Sequence, residues 1–164
     1  MNPKPSIVID TREQTPWHFD ASVADTRRGT VQTGDYALAG DSGFAVERKS
    51  PDDFLGTIST GWERFRRELA RARTAGFTLP VVVECTATFL FCKISDEGDV
   101  IPPSTSHPRL TSSFVLRRCG EIANLGGMVV FADDPFVAAG LAYTMLNQRN
   151  LKLAFGENAY EQQQ

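Results

Sequence analysis

Asp35, Glu47 and Lys49 have the types and spacing of a phosphate-hydrolysing site. Gly34 to Leu38 and Phe44 to Lys49 flank Ala39-Gly40-Asp41-Ser42-Gly43, a turn-rich connector of hairpin length. With those residues as the loop, Leu38 pairs with Phe44, Ala37 with Ala45, Tyr36 with Val46, and Asp35 with Glu47. Directly opposed carboxylates have Cβ atoms about 5 Å apart and repel, so the pairing calls for a cation between them. Mg²⁺ is the natural candidate, because it binds through a few carboxylates, keeps waters and leaves positions for phosphate oxygens; Mn²⁺ is expected to substitute. Strand alternation turns Lys49 to the same face as Glu47 and Arg48 to the other. An ammonium there can hold a water in line or, if its pKa is lowered, take its proton, while the cation acidifies that water and neutralises charge on the phosphate.

Asp10 ends a neighbouring β-branched run, Ser6-Ile7-Val8-Ile9, and Glu13 follows within one turn, so both can reach the same sheet edge as a second metal position. A turn closing on its own backbone explains them equally well. Asp53 stands where a helix begins, after Ser50-Pro51-Asp52, and competes between a backbone cap and a part in the site. Trp62 to Arg73 holds five arginines against Glu63 and Glu68. Trp62, Phe65, Leu69 and Ala72 recur at helical spacing as a core stripe, which leaves Arg64, Arg67 and Arg71 on the opposite face as a phosphate track or a solvated surface. Arg27 and Arg28, read as part of a loop from Asp20 to Gly29, are placed to grip a nucleic acid from the other side.

The elements that must position these groups alternate along the chain. A strand over Ser6–Ile9 precedes the hairpin. Two helices divided near Gly56 to Gly61 follow, then a buried strand over Leu79–Val83. Thr111–Asn124 reads as a helix, Met128–Ala132 as a strand and Pro135–Gln148 as a last helix, with an irregular segment from Lys93 to Arg109. This order predicts an α/β fold, a mixed sheet flanked by helices on both faces. The 164 residues suit one domain over 1–150, with 151–164 left as an unassigned tail.

A net charge of -3 argues against coating nucleic acid by bulk charge, so contacts must be local. No membrane-spanning run or signal peptide is visible, which suggests an intracellular protein. Cys85, Cys92 and Cys119 lack C-x-x-C spacing; a zinc site from Cys85, Cys92 and His107 would want a fourth ligand and is disfavoured.

Gly34-Asp35, Glu47-Arg48-Lys49 and Asp53 together resemble the XPF-type structure-specific endonuclease family, whose nuclease domain carries a Gly-Asp pair, a Glu-Arg-Lys triplet and an acid four positions on. Ile9-Asp10-Thr11-Arg12-Glu13, Phe54 to Arg71, Val81-Val82-Val83-Glu84 and Val129 to Leu146 extend the resemblance over most of the chain. It implies a restriction-endonuclease-like fold of the PD-(D/E)xK kind. It also implies a divalent metal held by Asp35, Glu47 and the Arg48 carbonyl, with help from Asp10 and Glu13, and DNA cleavage leaving a 5′-phosphate. Lys49 would serve the water, and Arg48 would engage phosphate or brace the carboxylates. Family members usually carry a helix-hairpin-helix module after this domain, which this chain does not reach; a stand-alone domain suggests a bacteriophage or other mobile element. Pairing with a second copy or a partner subunit is expected through the helices from Thr111 to Gln148. The rivals are a catalytically silent DNA-binding subunit, disfavoured by the presence of every acid and of Lys49, and an enzyme acting on RNA or nucleotides.

Overall fold

A computed structural model describes residues 2–91, 93–94, 96–98, 100–101 and 110–156. Along the chain run β1 (Ser6–Asp10), β2 (Asp25–Gly29), β3 (Tyr36–Leu38), β4 (Ala45–Lys49), α1 (Pro51–Ile58), α2 (Trp62–Thr74), β5 (Pro80–Val83), α3 (Ala87–Phe91), β6 (Lys93–Ile94), β7 (Val100–Ile101), α4 (Ser112–Asn124), β8 (Met128–Phe131) and α5 (Pro135–Phe155). Six strands form one sheet in the order β2-β1-β3-β4-β5-β8, while β6 and β7 pair separately. β1 is parallel to β2 and antiparallel to β3, the β3–β4 pair is antiparallel, and β4, β5 and β8 run parallel. The sheet is therefore mixed, as the order of sequence patterns indicates.

Period-two alternation divides its side chains between two cores. Val8, Ala37, Ala45, Val81 and Val83 pack with Phe54, Leu55, Trp62, Phe65, Leu69 and Val115 of α1, α2 and α4. On the other face, Ile7, Ile9, Tyr36, Val46 and Val82 pack with Ala138, Ala142 and Leu146 of α5, and with Trp17 and Phe19 from the loop after β1. Helix starts follow their caps. Ser50 accepts from the Asp53 N–H, Thr111 from Phe114, and Asp134 from Phe136 and Val137, each cap contributing about 1 kcal/mol.

Residues 87–91, which carry no element in the sequence reading, form α3, and three further segments differ from that reading. Residues 25–29, expected as loop, form β2, and Arg27 and Arg28 lie on that strand. β2 is an edge strand exposed along nearly all its length, so main-chain pairing with β1 defines it and no apolar alternation marks it. The last helix continues past Gln148 to Phe155. Its polar stretch makes tertiary contacts: Arg149 Nε and Nη2 donate to the Asp41 carboxylate at 2.7 and 2.8 Å, Asn150 Nδ2 donates to the Pro3 carbonyl, and Leu151 is buried. Within the segment expected to be irregular, β6 and β7 form a short pair. Cys85 is buried and Cys119 half-buried; Cys92 and His107 lie outside the described residues. No helix among the described residues is long and apolar enough to cross a membrane.

Candidate active site

The hairpin register is the one the loop length implies, with Tyr36 opposite Val46 and Ala37 opposite Ala45. Asp35 lies one residue before β3, after a bend at Gly34. That glycine has φ +85°, and a Cβ there would sit 2.9 Å from Ala45 Cβ, so both conformation and space favour glycine. The bend keeps Asp35 tied to its neighbours, its N–H donating to the Val46 carbonyl at 2.9 Å and its carbonyl accepting from Asp10 at 2.8 Å. Its Oδ2 accepts the Arg48 peptide N–H at 2.8 Å. Glu47 and Lys49 share the face covered by α1 and α2, with Lys49 Nζ 2.6 Å from Glu47 Oε1.

This packing puts two like charges in a poorly hydrated place. Burial, and then the Glu47 charge, push the Asp35 carboxyl up to about 7 against the opposing pull of the Arg48 N–H and Lys49. Burial disfavours charge on Lys49, but Glu47, Asp35 and Asp53 outweigh it and raise the amine's pKa. The pocket thus favours a cation, which Lys49 supplies only in part.

Arg48 turns to the opposite face. Its Nε and Nη2 donate to Glu84 at 2.7 and 3.0 Å, its Nη1 donates to Glu13 Oε1 at 2.9 Å, and its guanidinium lies 5.6 Å from the Trp17 ring centroid. Trp17 Nε1 donates to Glu84 Oε1 at 2.6 Å, and the Glu84 peptide N–H donates to the Lys49 carbonyl at 2.9 Å. Glu84 therefore pins both strand β4 and the loop after β1. In the sequence Glu84 enters only through the resemblance at Val81-Val82-Val83-Glu84, although a charge immediately after an apolar run is itself a signal. Because Lys49's carbonyl pairs with β5, ladder alternation points Arg48's carbonyl toward the Asp35 side.

The Asp10 carboxylate is almost completely buried and accepts from Arg12 N, Nε and Nη2 and from Val31 N, at 2.7 to 3.2 Å. The Arg12 side-chain bond, against desolvation, lowers its pKa to about 2. The structure does not bring this carboxylate to the Asp35–Glu47 pair. What it brings there is Arg12, whose own pKa is raised first by Asp10 and further by the charges of Asp35 and Glu47. Glu13 accepts from Arg48 and from the Thr15 N–H. Asp53 accepts from Ser50 Oγ at 2.6 Å. Arg12, Glu13, Asp35, Arg48, Ser50 and Asp53 line one cleft of about 320 Å³.

Arg64, Arg67 and Arg71 are exposed on α2. Glu68, beside them, is raised by burial and by Glu47, with Lys49, Arg71 and Arg64 acting oppositely; the stripe therefore borders the carboxylate pair. Arg66 pairs with Glu63, and Arg73 donates to the Asn124 carbonyl. Arg28 Nη2 donates to the Glu13 carbonyl at 2.6 Å, so it braces the loop after β1.

No group of three or more His, Cys, Asp or Glu side chains among the described residues converges as a metal cage. Mg²⁺ does not require one, being held commonly by one or two carboxylates with waters and phosphate oxygens. Asp35 in this cleft, with Glu47 near enough to push its carboxyl toward neutrality, fits that donor set.

Among solved structures, XPF from Aeropyrum pernix superposes with a TM-score of 0.58 at 15% identity, covering 96% of this chain and 69% of that one. XPF from Aeropyrum pernix in complex with DNA gives 0.62 at 20% identity, covering 92% and 66%. This chain spans about two thirds of the length of each. No curated protein sequence matches. The likeness establishes the restriction-endonuclease-like α/β fold. The family model of the ERCC4 domain matches residues 9–122, from β1 through the hairpin to α4. That match takes in Asp35, Glu47, Lys49 and well over half of the sequence, and the chain belongs to the ERCC4 domain family.

Proposed function

We propose that the protein is a divalent-metal-dependent DNA endonuclease that hydrolyses phosphodiester bonds in branched or otherwise structured DNA and leaves a 5′-phosphate. The supporting observation is the hairpin register, which sets Asp35 beside Glu47, together with Lys49 Nζ 2.6 Å from Glu47 Oε1. When bound, Mg²⁺ or Mn²⁺ would be held by Asp35, Glu47 and the Arg48 carbonyl, and would supply an acidified water and charge neutralisation at the phosphate. Beside Glu47 the Lys49 amine is raised above its ordinary pKa, which suits it to donate to the attacking water's oxygen or to a phosphate oxygen; with that pKa pulled down beside a bound cation, the amine would instead take the water's proton. Arg12, held in place by Asp10, adds a second cation at the mouth of the cleft. Glu13 and Glu84 fix Arg48, and with it the strand that carries Glu47 and Lys49. Asp53 accepts from the Ser50 hydroxyl that caps α1, and its charge helps to hold the proton on Lys49.

Arg64, Arg67 and Arg71 track the DNA backbone past this site, with Arg27 at the outer strand on the same face and Arg28 turned to the other face, where it braces the loop after β1. The structural relative in complex with DNA supports this partner class. We further infer pairing with a second copy of the chain through α4, α5 and the β8 edge.

Cleavage of duplex, flap, fork and single-stranded DNA with Mg²⁺ tests the reading. Asp35→Ala and Lys49→Ala are each expected to lower the rate at least about 100-fold, the scale of losing a positioned proton-transfer or electrostatic group. Equal nicking by wild type and both variants sinks the proposal; wild-type binding without cleavage favours a silent DNA-binding subunit.

A further inference from the structure

A second, larger cleft of about 480 Å³ opens on the Glu47–Lys49 face, between the sheet and α2. Val8 and Ala37 form its floor, Gln32 and Thr33 one wall, Arg71 and Phe77 the other, and Ser42 closes one end. It differs in character from the acidic cleft. The side chains of Gln32, Thr33, Ser42 and Arg71 form no hydrogen bond or salt bridge with any described residue, whereas neighbouring Asp41 is held by Arg149. A concave surface lined about equally by polar and apolar groups, with several polar side chains unengaged, can take a ligand that has both a flat apolar face and polar edges.

Its position is set by the sheet. Ala37 pairs with Ala45, and Glu47 lies two residues further along the same face of β4. One inter-strand step and two residues of rise separate the floor from Glu47 by about 8 Å, which is roughly two to three base steps of a stacked strand. Guanidinium groups flank it. Arg71 stands on the α2 wall, and Arg27, in register with Val8, lies toward the same face at the outer strand. A base within a duplex has its faces covered by its neighbours. An unpaired base can lay its apolar face on the partly exposed Phe77 and turn polar edges to Gln32, Thr33 and Ser42, while its phosphates meet Arg71 and Arg27.

We propose that this cleft is a subsite for one unpaired deoxynucleotide, two or three steps from the bond that is cut. The inference rests on the endonuclease reading and adds to it a place where an unstacked base is recognised. A substrate fully paired up to the cut cannot fill the subsite without losing a base pair.

The test walks a single abasic residue through a forked DNA, one position at a time on either side of the cut. Affinity is read by fluorescence anisotropy with Ca²⁺ replacing Mg²⁺, and cleavage under single-turnover conditions with Mg²⁺. For the wild type, one or two adjacent abasic positions should weaken binding about fivefold to tenfold, the scale of one lost base contact. Ser42→Trp fills the end of the cleft from an exposed turn; it should bind the intact fork about fivefold to tenfold more weakly and be indifferent to the sensitive position. Gln32→Ala, which removes a single exposed amide, should show a smaller change at that position alone. A flat abasic profile in an active wild type, or an unchanged profile in Ser42→Trp, overturns the subsite and leaves the endonuclease reading standing. Absence of both binding and cleavage on every DNA overturns both.

Discussion

Asp10 and Asp35 show how one residue type takes opposite roles within a few ångströms of main chain. Asp10 N–H donates to the Asp35 carbonyl, yet the Asp10 carboxyl is lowered to about 2, chiefly by Arg12, while burial and Glu47 push Asp35 up to about 7. For Asp10 the sign is that of a paired carboxylate. Its native pKa lies below the unfolded value, so its stabilisation is complete above about pH 4 and is lost as pH falls toward 2; the shift corresponds to about 2 kcal/mol. Asp10→Asn should therefore lower stability by about that amount at pH 7 in urea unfolding, and the gap should narrow strongly at pH 2.5. A gap that persists undiminished at low pH would mean that the charge of Asp10 contributes little. The sequence shows the Glu47–Lys49 relation because period-two alternation is local. It hides the Asp10–Arg12 clamp, whose form depends on how the turn folds, and the Arg48–Glu84 pair, whose members are joined only by the parallel pairing of β4 with β5.

At the scale of elements, α2 is the clearest case of legible patterning. Its buried residues Trp62, Phe65, Leu69 and Ala72 are those that helical spacing selects, and Arg64, Arg67 and Arg71 face outward as a consequence. Two elements were not legible for a physical reason. β2 is defined by hydrogen bonds to β1 and has no buried face, and the end of α5 carries polar residues because they answer Asp41 and Pro3. The arginine stripe has a direct thermodynamic signature. Each phosphate contact releases condensed counterions, so log Kd depends on log salt with a slope near one per contact. Arg67→Glu with Arg71→Glu should weaken DNA binding at low salt and make that slope shallower by at least about 2, measured by anisotropy titrations across a salt series. An unchanged slope would remove the stripe from the DNA path while leaving the catalytic cleft untouched.

For the whole molecule, the carboxylate cleft and the arginines lie on the side of β4 and α2, and β8 closes the described sheet at the other end. There apolar surface remains open. Met128 at the start of β8 is 49% exposed, Leu116 of α4 is 56% exposed, and Phe136, five residues after β8 ends, is 87% exposed. An aromatic ring so uncovered beside an edge strand carries an association and aggregation liability, which a symmetric partner would remove by covering the same patch on both copies. With a net charge of only -3, general electrostatic repulsion does little to oppose such pairing. Phe136→Glu combined with Leu116→Glu should convert a dimer into a monomer in light scattering at tens of micromolar protein. The far-ultraviolet circular dichroism should stay unchanged, since both side chains already face outward. A wild type that is monomeric at that concentration refutes self-pairing. A dimer that survives both charges moves the interface away from this end of the sheet. Because neither Leu116 nor Phe136 lines either described cleft, the monomeric variant should keep its metal-dependent cleavage of a small fork. Any defect should appear only on DNA long enough to touch both copies.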